Sequence, residues 1–331
     1  MGIAMKRVVN RFKVVSILFL CLLCLSWLHG YNLGWAQEKG YPTKPIKLLA
    51  PYAPGSHSDL ASRMAVDYLS RELKVAVVVE NKDGAGGLVG AGDVHRGKAD
   101  GYTILGCGDA VMTIAPLLNP NPPFDPLKDF VPICSFGVTP FAFGVHKSSP
   151  FKDMAQFVQE AKARPGQLSV GVPNIRSINQ LVWEVFRKEA GISAKLLPHK
   201  GTPDMVAALL GRHIDMGVLS YSAFMSYVKS GEVRLLATTF AVPGSTCQTV
   251  AQAGYPKTVS SQNLYLVPAK TPRPIYEKLV GAFERAAKTP ELIKKLETIG
   301  LISKYEGPAE VTALIKRNLA ANAALIKELG L

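Results

Sequence analysis

Two rhythms of apolar and polar residues follow one another along this chain. Short, mainly apolar runs have the length of buried strands, and between them apolar residues recur at helical spacing. Ile46–Ala50 predicts a strand, followed by a Pro/Gly/Ser turn and a helix presenting Leu60, Met64, Tyr68 and Leu69 on one face. Val75–Glu80 predicts the next strand, the glycine-rich segment Gly84–Gly92 leads into a second helix, and Tyr102–Leu105 predicts a third strand. This β-α-β-α-β order implies a parallel sheet covered by helices on both faces.

A second set begins at Phe141–Val145, read as a strand, and Met154, Phe157, Val158 and Ala161 line one face of a helix that Pro165-Gly166 breaks. The strand Leu168–Val172 precedes a helix with Ile178, Leu181, Val182, Val185 and Phe186, stopped by Gly191. Lys195–Leu197, the helix Met205–Leu210 and the strand Met216–Leu219 complete this α/β unit. Two more strands, Leu235–Thr239 and Leu264–Val267, precede two helices, the last carrying Val311, Leu314, Ile315, Leu319 and Ile326. The pattern describes a pair of similar α/β lobes. In open parallel sheets, ligands bind beyond the carboxyl ends of the strands, where loops meet helix N-termini. The loops to watch are therefore 52–59, 81–87, 106–113, 171–180, 198–203 and 220–222.

The first residues read as a signal peptide. Lys6, Arg7, Arg11 and Lys13 precede an apolar run from Val14 to Leu28, and Gly34-Trp35-Ala36 offers small residues at the −3 and −1 positions for cleavage before Gln37. The rival reading is an uncleaved anchor, although ~15 apolar residues fall short of the ~20 that a spanning helix needs. Lipidation is disfavoured, because neither Cys21 nor Cys24 follows the small-residue pattern it requires. Residues 1–36 are therefore set aside, and the mature chain is expected in the periplasm. Its ~295 residues are long for one core and comfortable for two lobes.

The formal net charge is +13; without the four basic leader residues, 34 Lys and Arg face 25 Asp and Glu, a net +9. The basic residues are scattered, without the runs or aromatic interleaving that nucleic acid requires, so no nucleic-acid partner is expected. Cys107, Cys134 and Cys247 are an odd, widely spaced set, neither a disulfide framework nor a zinc pattern, and pairing of Cys107 with Cys134 stays open. The six His are dispersed; neither a metal nor any other cofactor is expected.

Chemistry concentrates in the loops. Ala53, Gly55, Ser56, His57, Ser58 and Asp59 join the first strand to the first helix. They read either as a capped helix start or, in addition, as a set of free N–H groups suited to a carboxylate or phosphate. A Ser-His-Asp hydrolase is disfavoured, because neighbours on such a turn diverge and no G-x-S-x-G elbow is present. Gly84, Ala85, Gly86 and Gly87 follow the second strand. They misfit a dinucleotide fingerprint and read as an amide-lined wall, or as a glycine-rich turn without ligand. Asp109 sits in the third loop, and Tyr221 in the last. In the second set, Arg176 is a candidate carboxylate clamp or a solvent-facing group. Asn174, Ser177 and Asn179 flank it as ligand contacts or caps. Thr202 is placed as a cap before Pro203, and as a ligand contact.

Taken in order, several segments resemble the Bug family, the extracytoplasmic receptors of tripartite tricarboxylate transporters. Tyr41-Pro42-Thr43-Lys44-Pro45-Ile46 and Pro51-Tyr52-Ala53-Pro54-Gly55 match its opening, and Glu80-Asn81 with Gly84-Ala85-Gly86-Gly87 matches its second loop. Asp100-Gly101-Tyr102-Thr103, Pro198-His199-Lys200-Gly201, Leu209-Leu210-Gly211 with Asp215, and Pro268-Ala269 with Thr271-Pro272 continue the register to the end of the chain. The resemblance implies a type II periplasmic-binding-protein fold: two Rossmann-like lobes, two crossovers and a ligand cleft between. The lobes would comprise 37–140, 141–263 and, returning to the first, 264–331. It further implies a non-enzymatic receptor, acting as a monomer, that closes on a small organic acid and delivers it to membrane transporter subunits.

In that family, the first two loops hold a ligand carboxylate by backbone amides and the second lobe selects the rest. This chain departs from the family where Ser56-His57-Ser58 replaces glycines and Thr, where Ile175 and Arg176 replace small residues, and at Gln262-Asn263-Leu264. The alternatives are a receptor feeding a sensor kinase, and a divergent member binding a neutral or aromatic molecule.

Overall fold

The computed structural model describes residues 40–330 except Arg176 and Ser260, so the leader expectation (1–36) lies outside the described residues. Strands β1 (Ile46–Ala50), β2 (Val77–Asn81) and β3 (Thr103–Gly108) form where the apolar runs predict them. β1 lies parallel to both β2 and β3. Around them the first sheet grows with β4 (Phe130–Thr139) and, from far along the chain, β10 (Ser261–Pro268) and β11 (Ile302–Glu306). Its order is β11-β4-β10-β3-β1-β2.

The second sheet holds β5 (Phe141–His146), β6 (Ser169–Val172), β7 (Lys195–Pro198), β8 (Met216–Ser220) and β9 (Val233–Thr238), in the order β7-β6-β8-β5-β9. The expectation of parallel sheets needs correction: both are mixed. β10 runs antiparallel to β3 and β4, and β5 antiparallel to β8 and β9. These strands belong to the segments that pass between the lobes rather than to βαβ units, so the rule that keeps neighbours parallel does not act on them. Pro140 alone separates β4 from β5, while the return runs from β9 to β10. Pro42–Leu331 forms one compact unit.

The helices explain themselves locally. α1 (His57–Leu73) starts at Ser56, whose Oγ accepts from the Asp59 N–H at 3.4 Å, and stops at Lys74 in the left-handed region. Its buried face is Ala61, Ser62, Ala65, Leu69 and Leu73, not Leu60, Met64 and Tyr68 as the periodicity suggests. Small residues let the helix lie close to the sheet, and the larger side chains take the half-exposed flanks. One 3-10 turn (Ala85–Gly87) precedes α2 (Leu88–Arg96), and a short α3 (Ala110–Thr113) follows β3. α4 (Met154–Ala163) is capped by Asp153. α5 (Ile178–Ala190) is capped by Ser177 and ended by Gly191 at φ 64°.

α6 (Thr202–Leu210) differs from expectation, since Gly201 stands at its N-cap and Thr202 is its first residue, with Pro203 in the first turn. α7 (Tyr221–Lys229), α8 (Arg273–Ala287), α9 (Pro290–Glu297) and α10 (Pro308–Leu329) complete the set. Among the described residues, no helix is long and apolar enough to cross a membrane.

Each sheet has its own core. Trp183, Phe143, Phe157 and Phe186 are fully buried in the second lobe, with Trp183 edge-on to Phe157 at 6.4 Å. Burying each such ring contributes about 1.5–3 kcal/mol. α10 serves both cores: Val311, Leu314 and Ile315 sit in the first, Leu325 and Leu329 against the second, and Lys188 reaches Glu328 at 2.9 Å. Cys107 and Cys134 are buried free thiols on β3 and β4, opposite Leu264 and Tyr265 of the intervening β10. Two strand spacings, about 9–10 Å, exceed the ~7 Å that a disulfide spans between Cα atoms.

Candidate functional site

Between the two sheets lies a cavity of about 70 Å³. At 10–15 Å³ for each water-sized position, that is room for roughly five. The first lobe contributes Tyr52, Ala53, Ser56, His57, Ser58, Asp83 and Gly108 to its wall. The second contributes Pro173, Asn174, Ser177, Ile178, Asn179, Gly201, Thr202, Leu219 and Ser220, and the segments passing between lobes add Thr139, Phe141 and Ser261.

Four helices begin at this wall: α1 at Ser56–Ser58, α5 at Ser177–Asn179, α6 at Gly201–Thr202 and α7 at its N-cap Ser220. The first-turn N–H groups of a helix lack intrahelical acceptors, and the aligned peptide dipoles add a partial positive charge there. Ser56 and Ser177 each satisfy one such donor with their hydroxyl oxygens. The two lobes thus bring helix N-terminal ends to one small cavity. The described lining includes no Lys or Arg.

His57 occupies the meeting point of the lobes. It is 7 % exposed; its Nδ1 stands 3.0 Å from Ser222 Oγ, which in turn is 3.2 Å from Ser220 Oγ. Its Nε2 is buried and has no protein partner. Burial pulls the imidazole pKa down from 6.5 to about 3, so the ring is neutral at ordinary pH. The lobes also approach at Gly201, where φ is +92° and a Cβ would stand 3.2 Å from Asp83 Oδ2.

Of the residues singled out in the sequence, the structure brings Ala53, Ser56, His57, Ser58, Asn174, Ser177, Asn179 and Thr202 to the cavity. Arg176 lies outside the described residues. The others stand behind the wall. Asp59 is 2 % exposed and braces two loops: it accepts from the Gly55 N–H and from Asn81 Nδ2, each at 2.9 Å, and pairs with Arg63. Asn81 Nδ2 also donates to the Tyr52 carbonyl at 3.0 Å, which pins the first loop to the second. Asp59 therefore does not reach His57 to form a hydrolytic relay.

Gly84, Ala85, Gly86 and Gly87 form the 3-10 turn and its start. The space that a Cβ on Gly87 would need is held by Val111 and the Tyr52 ring, at 2.7 and 3.4 Å. Asp109 accepts from Ser261 Oγ, the Gln262 N–H and Asn318 Nδ2, and so ties β10 and α10 to the end of β3. Burial raises its carboxyl pKa, and the donors from Asn318 and Ser261 oppose that. Tyr221 donates its N–H to the Pro140 carbonyl and packs its ring over Gly300.

Tyr52, Asp83 and Ser220 belong to loops marked in the sequence but were not singled out there. Thr139, Phe141 and Ser261 lie outside those loops, and only the arrangement of the two lobes brings them to the cavity. Among the described residues, no group of three or more His, Cys, Asp and Glu is placed to hold a metal.

Comparison with known proteins adds a family. Residues 61–331 match the family described as tripartite tricarboxylate transporter family receptor, TctC. The protein BugT of Bordetella pertussis is 27% identical over 300 residues, 88% of this chain and 90% of BugT. The solved structure of the periplasmic binding protein BugD superposes with a TM-score of 0.82 at 26% identity, covering 88% of this chain and 99% of BugD. The Rhodopseudomonas palustris protein Rpa4515, solved with adipate, matches with the same TM-score of 0.82, at 26% identity over 88% of this chain and 99% of its own.

Proposed function

The chain belongs to the tripartite tricarboxylate transporter family of receptors, periplasmic solute-binding proteins of the TctC and Bug type, and on that footing we propose that it captures a small organic carboxylate between its lobes and hands it to membrane subunits of such a transporter. The observation that carries the reading is that the N-terminal ends of α1, α5 and α6 all line one cavity of about 70 Å³. Such ends stabilise an anion without a cationic side chain, and their placement on opposite lobes lets the anion be held fully only when the lobes meet. Ala53, Ser56, His57, Ser58, Asn174, Ser177, Asn179 and Thr202 are the contacts. Gly55, Asp59, Gly84–Gly87 and Asp109 hold the loops that present them. That Rpa4515 was solved with a dicarboxylate supports the same chemistry.

The test is a thermal-shift screen of the chain from Gln37 onward, against carboxylates with their amides beside them. A ligand at ~100 times its Kd adds about 2.7 kcal/mol to the native state, which raises the melting temperature of a chain this size by about 4 °C. A shift with an acid and none with its amide is the expected result. Shifts produced only by neutral compounds would overturn the reading.

A further inference from the structure

The second lobe carries another concavity, which shares no lining residue with the cavity between the lobes. It is a groove of about 690 Å³, within the roughly 300–1,000 Å³ of ligand-binding pockets. Val233–Leu236 of β9, the edge strand of the second sheet, run along it.

The pairing of β9 decides which backbone groups face this groove. The Lys147 N–H donates to the Glu232 carbonyl at 2.8 Å, and His146, Val145 and Gly144 stand opposite Val233, Arg234 and Leu235. In an antiparallel pair, residues that exchange hydrogen bonds alternate with residues whose N–H and C=O point away. Arg234 therefore bonds inward to β5, and Val233 and Leu235 turn their N–H and C=O groups outward. Further along the same edge, the chain covers itself. Thr238 donates to the Gln248 carbonyl at 2.9 Å and accepts from the Val250 N–H at 2.8 Å, and Gln248 Nε2 donates to the Leu236 carbonyl at 3.1 Å. That cover ends at Leu236. Among the described residues, no group pairs with the outward side of Val233 and Leu235.

The groove is also electropositive. Lys147 and Lys152 stand exposed at it, and neither has a carboxylate partner among the described residues. Arg234 donates to the carbonyls of Lys147, Ser149 and Phe151 at 3.0, 3.3 and 2.9 Å, neutral acceptors that leave its charge unbalanced. Against these three cations the lining sets one acid, Asp153, whose Oδ1 accepts from the Gln156 N–H at the start of α4. A small free anion would meet the cations but supply no donors for the two outward carbonyls. A strand with acidic side chains supplies both.

We propose that the open part of β9 is a docking site for an extended acidic segment of a partner protein, added to the five-stranded sheet as a sixth strand with its carboxylates against Lys147 and Lys152. The backbone groups give such a segment its alignment, and the cations select its charge. Tyr221 lines the groove and packs its ring over Gly300, just before β11, so the docked segment lies beside a contact between the lobes.

The experiment is fluorescence anisotropy of the chain from Gln37 onward with labelled, end-capped hexapeptides. One has three Glu-Val repeats, one has three Lys-Val repeats, and one is the Glu-Val peptide with its backbone amides N-methylated. Binding of the Glu-Val peptide alone is the expected result, with N-methylation weakening it about tenfold or more through lost backbone hydrogen bonds. The double substitution Lys147→Glu/Lys152→Glu should weaken it about tenfold, as two attractions become repulsions. Both side chains are exposed, so the melting temperature should hold. No binding, equal binding of the Lys-Val or N-methylated peptide, or an affinity that survives the double substitution would overturn the proposal. The substituted residues lie outside the interlobe cavity, so any of these failures leaves the carboxylate reading standing.

Discussion

His57 makes the stability of the protein depend on pH in a way that one substitution can isolate. The ring is neutral in the folded chain, with a pKa of about 3, and titrates at 6.5 when solvated. Between those values the unfolded chain binds a proton that the folded chain refuses, so stability falls as pH drops below 6.5 and levels off near 3. Each pH unit in that window is about 1.4 kcal/mol, and at pH 5 the loss reaches about 2 kcal/mol relative to pH 7.

His57→Asn supplies the comparison, because the Asn amide can occupy the Nδ1 position facing Ser222 and does not titrate. Urea unfolding of both chains at pH 7 and pH 5, followed by the fluorescence of the buried Trp183, gives four free energies. Other titrating groups cancel in the difference between chains. The wild type should lose about 2 kcal/mol more than the variant. Equal losses in both would mean that the folded ring titrates as a solvated one, and the argument for a neutral, buried His57 would be refuted.

Two further outcomes follow from the packing. Gly137 lies on β4 at φ +140°, where a Cβ would stand 2.2 Å from the Ile302 carbonyl, so Gly137→Ala should cost about 2–4 kcal/mol through strain and displacement of β11; an unchanged urea midpoint would mean that β11 does not pair there. Ellman titration of the native chain from Gln37 onward should leave Cys107 and Cys134 unreactive and Cys247, half-buried with its thiol pushed up to about 11, slow. Unfolding without reductant should then release all three thiols, and a shortfall of two would indicate a disulfide.

How much of this was readable beforehand depends on where each residue's partners lie. β1 and α5 stand where their apolar spacing puts them, because the strand, the capping Ser177 and the stopping Gly191 are local signals. β4 escaped notice although it is ten residues long. Pro132 and Gly137 interrupt its pattern, and its pairing with β10 slips right beside them, skipping Ile133 and Phe136. β11 is a short edge strand with no fully buried residue, so no apolar run marks it.

In the site, the loops could be foreseen from the α/β order, which is why His57, Ser177 and Thr202 were picked out. The roles of their neighbours could not. Asp59 looks like a ligand group in sequence but faces Gly55, Asn81 and Arg63, partners that only folding supplies. Asp83 looks like an ordinary loop acid until Gly201 is seen opposite it.

The sheet order also sets a timetable for synthesis. β10 fills the gap between β3 and β4, which themselves precede it by more than a hundred residues. As the chain emerges from its N-terminus, the first sheet must wait, with its inner strand edges bare, until residue 268 is available. The second sheet draws all five of its strands from Phe141–Thr238 and can close while the first is unfinished. The lobe made second is thus free to fold first, and the older strands remain exposed to wrong pairing for that interval.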